Sequence, residues 1–85
     1  MTITRVIIEK NEDITKPKLL ATATIHIDYG FAVNDIKLMT GAKGEYLIFP
    51  TDKVGRFVAY PIKNESREYI LDVVLDEFNN QVRGE

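Results

Sequence analysis

From Leu19 to Tyr29 the chain alternates with a period of two. Leu19, Ala21, Ala23, Ile25, Ile27 and Tyr29 point one way, and Thr22, Thr24, His26 and Asp28 the other. Successive side chains of a strand project to opposite faces, so this run predicts a strand with one buried and one wetter side. Ile3, Val6, Ile7 and Ile8 make Thr2 to Lys10 an earlier, less regular strand. Phe31 to Met39, Glu45 to Phe49 and Arg56 to Tyr60 read as three more, the last stopped by Pro61. Between these runs lie polar stretches. Asn11 to Lys18 holds a Pro and mixed charges and reads as a solvated loop. Asp28-Tyr29-Gly30 reads as a tight turn in which Gly accepts positive φ cheaply. Thr40 to Gly44 and Pro50 to Gly55 are further turns, and connections this short imply antiparallel pairing.

From Asn64 the period changes. Ile70, Leu71, Val74, Leu75, Phe78 and Val82 recur at helical spacing, while Glu68, Asp72, Asp76 and Asn79 take the other side. Asn64 or Ser66 offers a cap for the start, and Gly84 follows the end. The expected fold class is therefore α+β: an antiparallel sheet of about five strands with one C-terminal amphipathic helix, a single domain over residues 1–85.

Composition narrows the function. A chain of 85 residues buries only ~60–65% of the surface it exposes when unfolded. Oligomerisation is one way to enlarge so small a core. With no cysteine there is no disulfide and no thiolate chemistry. The start lacks a charged segment followed by an apolar one, and the apolar runs fall far short of the ~20 residues needed to span a bilayer. A cytoplasmic protein without membrane contact is expected. The net charge of −2 supplies no bulk basic field, so any polyanion must be held by a local cluster.

Candidate chemistry is sparse. His26 is the only histidine, and no motif gives it a nucleophile, an orienting carboxylate or ligand partners. A satisfied structural histidine is the simpler reading. Asp35 interrupts an apolar strand and is read as a partner for Lys37 or Arg67, or as a polar group on the open sheet face. Glu68, Asp72, Asp76 and Glu77 share one side of the helix. Acid/base hydrolysis needs carboxyls facing across a cleft, so these form a solvated face. No enzymatic activity, cofactor, metal or small-molecule substrate is expected.

The cations are more informative. Between Pro50 and Arg67, four basic residues (Lys53, Arg56, Lys63 and Arg67) stand against Asp52 and Glu65. A turn with free backbone groups, arginine forks and the positive end of a helix all suit phosphate. Tyr46, Phe57 and Tyr60 are close in sequence and offer faces for unpaired bases. On residues alone, a nucleic-acid site and an ordinary charged surface both remain open.

The run Phe31-Ala-Val-Asn-Asp-Ile-Lys-Leu38, the strand ending Phe49-Pro50, then Tyr60-Pro61-Ile62 and the helix Arg67 to Phe78, keep an order and spacing that resemble the stage V sporulation protein G (SpoVG) family. The likeness runs from about Leu20 to Phe78. That family typically shows a Val-His-Asp-Ile-Arg strand where this chain has Val33-Asn34-Asp35-Ile36-Lys37, and a helix ending Leu-Asn-Glu-Tyr where it has Leu75-Asp-Glu-Phe78. The resemblance implies a small dimeric, DNA- and RNA-binding regulator of sporulation, septation or gene expression. Lys53, Arg56, Lys63 and Arg67 are then the expected backbone contacts. Family members usually carry a longer and more basic segment between the two prolines than Pro50 to Pro61, which implies weakened binding here. The alternative is a protein-interaction module of the same fold that has lost nucleic-acid binding.

Overall fold

The computed structural model describes residues 1–83. In chain order come β1 (Ile3–Lys10), β2 (Leu19–Ile27), β3 (Phe31–Gly41), β4 (Gly44–Ile48) and α1 (Asn64–Arg83). The strands form one antiparallel sheet in the order β1-β2-β3-β4. The chain then returns across one side of the sheet, so that α1 packs against β1. The α+β architecture expected from the two periodicities is the one observed. No helix among the described residues is long and apolar enough to cross a membrane.

The covered face holds the core. Ala21, Ala23, Ile25 and Ile27 of β2 are buried, as the alternation predicts, with Ile8, Ile36, Leu38, Leu47 and Phe49 beside them. Ile8, Ala23 and Ile36 pair across the sheet, so a small residue sits between two large ones in that row. Ile70 and Val74 descend from α1 onto this surface, and Leu71, Leu75 and Phe78 pack around them. Each fully buried aliphatic side chain contributes about 1.5–3 kcal/mol. The Ile3 N–H also donates to the Tyr69 Oη at 3.1 Å, fastening the helix to the start of β1.

Two irregularities shift side chains from the faces that strict alternation assigns. Leu20 is an extra residue in β2, so Leu19 pairs with Met39 on the open face instead of joining the core. In β3 the register passes from Val33 to Ile36 while β2 passes from Ile25 to Ala23. The extra residue forms a bulge with Asp35 at φ 61°. Val33 and Ile36 consequently both face α1, and Asn34 and Asp35 turn outward. Asp35 makes no ion pair with Lys37 or Arg67; its role is to hold a left-handed backbone position that Asp tolerates better than most residues.

Three local details differ from the sequence expectation. Positive φ at the β2–β3 turn falls on Asp28 (51°) and Tyr29 (58°), not on Gly30. The Gly30 N–H bonds the Ile27 carbonyl at 2.9 Å, giving a type I′ turn. Arg56 to Tyr60 does not add a fifth strand. A single bridge joins Thr51 and Phe57: the Asp52 side chain takes the Arg56 N–H, and the Val58 N–H bonds the Pro50 carbonyl, so the segment folds back on itself instead of joining the sheet. At the helix start the Lys63 carbonyl accepts the Arg67 N–H at 3.1 Å, so the capping position is Lys63, and neither Asn64 nor Ser66 caps with its side chain. Gly84 lies outside the described residues.

Candidate functional site

The segment between Phe49 and α1 positions the four cations named from sequence. It folds as a small hairpin closed by Val58 N–H to Pro50 carbonyl and Asp52 N–H to Arg56 carbonyl, both 2.8 Å. Gly55, at φ 87°, makes the reversal. The Asp52 Oδ1 accepts the N–H of Val54 at 3.0 Å and of Arg56 at 2.9 Å. Hydrogen bonding from the Arg56 backbone, with that of Val54 and the Arg56 side chain, holds the Asp52 carboxyl below the usual range despite an opposing desolvation effect.

The same carboxylate also meets a candidate contact. The Arg56 Nε–H donates to Asp52 Oδ2 at 3.0 Å, so its charge is already countered. Lys53 stands exposed at the hairpin tip with no carboxylate partner among the described residues. Lys63 occupies the capping position of α1, where the first helical amides and its own ammonium present positive charge together. Arg67 lies one turn on, its guanidinium carbon 5.7 Å from the centroid of the Phe49 ring. The structure thus gives two pairs, Lys53 with Arg56 on the hairpin and Lys63 with Arg67 at the helix start. No hydrogen bond or ion pair among the described residues links one pair to the other.

The aromatic residues divide similarly. Phe57 and Tyr60 pack on each other, ring centroids 5.2 Å apart. Tyr46 sits elsewhere, opposite Met39 on the open face, with its ring lying over Gly41. A Cβ on Gly41 would come within 3.2 Å of the Tyr46 Cε1, so a side chain there would displace the ring. His26 is on the open face between Arg5 and Ala32 in the neighbouring strands.

An apolar depression of about 280 Å³ opens on the helix side, lined in part by Met1, Phe31, Val33, Tyr60 and Ile62. Phe31 is 63% exposed, Tyr60 54% and Ile62 84%. Small monomers rarely leave such a surface uncovered.

Sequence order concealed a third group of cations. Lys16, Lys18 and Lys37 line one depression of about 380 Å³ with Pro17, Leu19 and Met39. Lys37 is far along the chain from the other two, and only the antiparallel register of β2 and β3 reveals the proximity. In that register Thr22 pairs with Lys37 and Leu19 with Met39.

Comparison with known proteins agrees with this architecture. The SpoVG family model matches residues 1–80. A protein of Agathobacter rectalis named for SpoVG and septation is 34% identical over 88 residues, spanning 99% of each chain. A similarly named protein of Lachnoclostridium phytofermentans is 34% identical over 65 residues, covering 72% of this chain and 70% of its own. One from Clostridium perfringens is 35% identical over 65 residues, covering 72% of each chain. The α+β meander with its single closing helix therefore belongs to the SpoVG family.

Proposed function

We propose that the chain is a small, non-enzymatic, dimeric regulator that binds nucleic acid and acts in the control of septation or sporulation. The observation that carries this reading is the state of the cations. The chain has 13 acidic residues against 11 basic ones, yet Lys53, Lys63 and Arg67 have no carboxylate partner among the described residues. Lys63 in particular sits where positive charge opposes the helix dipole and a bound anion would relieve it. Family membership, and the septation named for the relatives, supply the regulatory context.

Dimerisation has its own support. The depression bordered by Phe31, Tyr60 and Ile62 offers a second copy an apolar patch beside the candidate contacts. A dimer would then carry two copies of the cationic site. Sedimentation of the wild type and of Ile62→Glu tests this arrangement, with a dimer expected for the first and a shift to monomer for the second.

The Asp52–Arg56 pair favours the rival reading of a protein-interaction module, because it removes one cation from the shortened segment. Fluorescence anisotropy with labelled duplex DNA, single-stranded DNA and RNA decides between them. Saturable binding that weakens as salt rises supports the regulator. Absence of binding at low salt, where phosphate contacts are strongest, overturns it in favour of the module.

A further inference from the structure

The open face of the sheet carries a further cationic feature, formed by the β1–β2 loop and β3. Lys16, Lys18 and Lys37 surround an apolar floor of Leu19 and Met39, and Tyr46 continues that floor in the next strand. Tyr46 is 44% exposed, with its ring laid over Gly41, so an aromatic surface remains open to solvent beside the lysines. Lys37 also lines the adjoining depression of about 310 Å³, which includes Ile48, Pro50 and Thr51 and so reaches the base of the hairpin. Asp35 borders that second depression and lowers its positive charge.

Lys16 and Lys18 are held by a braced loop, and Lys37 by β3. The Asn11 Nδ2 donates to the carbonyls of Asp13, Lys16 and Leu19 at 3.2, 3.0 and 2.9 Å. The Lys16 carbonyl also accepts the Leu19 N–H at 3.2 Å, and the Lys18 carbonyl accepts the Thr40 N–H at 2.9 Å. Their backbones are thereby fixed to β2 and β3 before any ligand arrives, which reduces the ordering cost of binding. Asp13 is close enough to Lys16 for its carboxyl to feel that charge, but no carboxylate forms an ion pair with Lys18 or Lys37 among the described residues.

Resting on the nucleic-acid reading above, we infer that this face is a track for an unpaired strand, with phosphates held by Lys16, Lys18 and Lys37 and a base stacked on Tyr46. Charge complementarity selects a polyanion. The apolar floor between the lysines selects one with exposed bases, because a duplex keeps its base faces stacked inside. The track runs through Lys37 toward Pro50 and Thr51, bringing the strand to the hairpin that carries Lys53.

The test measures anisotropy of labelled oligothymidylate and of a duplex over a salt series. The proteins are wild type, Lys16→Gln/Lys18→Gln/Lys37→Gln, Tyr46→Leu and Lys53→Ala/Lys63→Ala. Loss of the three lysines is expected to lower the single-strand salt slope by about 2, at roughly 0.7 per contact. Tyr46→Leu keeps an apolar cover over Gly41 and is expected to weaken single-strand binding about 5- to 150-fold, the usual worth of one stacked base. Duplex binding by Tyr46→Leu should be unchanged, which a folding defect would not produce. If only Lys53→Ala/Lys63→Ala weakens binding, the track is wrong and the nucleic-acid reading stands. If the lysine variant and Tyr46→Leu weaken it while Lys53→Ala/Lys63→Ala does not, the track stands and the hairpin and helix-start contacts fail. Absence of wild-type binding at low salt overturns both, and equal competition by polyglutamate overturns the base-stacking track.

Discussion

Asp52 holds Arg56 by both side chain and backbone: Oδ2 accepts the Arg56 Nε–H at 3.0 Å and Oδ1 accepts its backbone N–H at 2.9 Å. One carboxylate thus shapes the hairpin and offsets the charge of a candidate phosphate contact. Replacing it with an amide separates these effects. Asp52→Asn keeps an oxygen acceptor for the backbone while freeing the guanidinium from its counter-charge. The expected outcome is tighter nucleic-acid binding and a salt slope steeper by about 0.7–0.9, one phosphate contact. An unchanged slope would show that Arg56 does not meet phosphate.

The acid response of the loops follows from the same hydrogen bonds. Asp52 is held below the usual carboxylate range chiefly by the Arg56 backbone N–H, and Asp13 chiefly by the Thr15 side chain and then its N–H. Both folded values are depressed. Their stabilising contribution is therefore fully present above the ordinary Asp value of about 3.9 and is lost as pH falls through the lower folded values. Amide shifts of Val54, Arg56 and Thr15, followed by NMR, should titrate with midpoints below that ordinary value. Midpoints at or above it would contradict the assigned hydrogen bonds.

Asp35 has a conformational task that its charge does not reveal. At φ 61° in the β3 bulge, a β-branched residue is strongly disfavoured, whereas Gly is not. Asp35→Val is expected to lower stability by about 1–2 kcal/mol in a denaturant titration, and Asp35→Gly to leave it near or above wild type. Equal losses from both would mean that the carboxylate, not the backbone, is what β3 requires.

Under the proposed function, Lys63 sets stability against binding. A side-chain acceptor at the capping position is usually worth about 0.5–2 kcal/mol, and an acidic one also suits the helix dipole. Lys63→Asp is therefore expected to raise the melting temperature while weakening nucleic-acid binding. Differential scanning calorimetry and anisotropy on the same preparation check both halves. A rise in affinity would contradict the phosphate role given to Lys63.

Much of the fold is legible in residue order because two periodicities dominate. The alternation from Ala21 to Ile27 marks the central strand, and Ile70 with Val74 marks the helix face that covers it. The single extra residues at Leu20 and Asp35 are harder to read, since one inserted position reverses every later side chain without changing composition. The apparent strand from Arg56 to Tyr60 is apolar enough to pair, but the Asp52 side chain takes the Arg56 N–H and the Val58 N–H turns back to the Pro50 carbonyl within the local hairpin. In the site, Lys63 and Arg67 are near neighbours in sequence and remain so in space. Lys16 and Lys18 join Lys37 only through strand register, and Tyr46 parts from Phe57 and Tyr60 because it points to the opposite face of the sheet.

The most direct test of the central claim is the salt dependence of nucleic-acid affinity for the wild type and for Lys53→Ala/Lys63→Ala/Arg67→Ala. Removing three phosphate contacts is expected to reduce the slope of log K against log salt by about 2–3. Circular dichroism should show both proteins folded. An unchanged slope in a folded variant would contradict the assignment of these cations to the phosphate backbone.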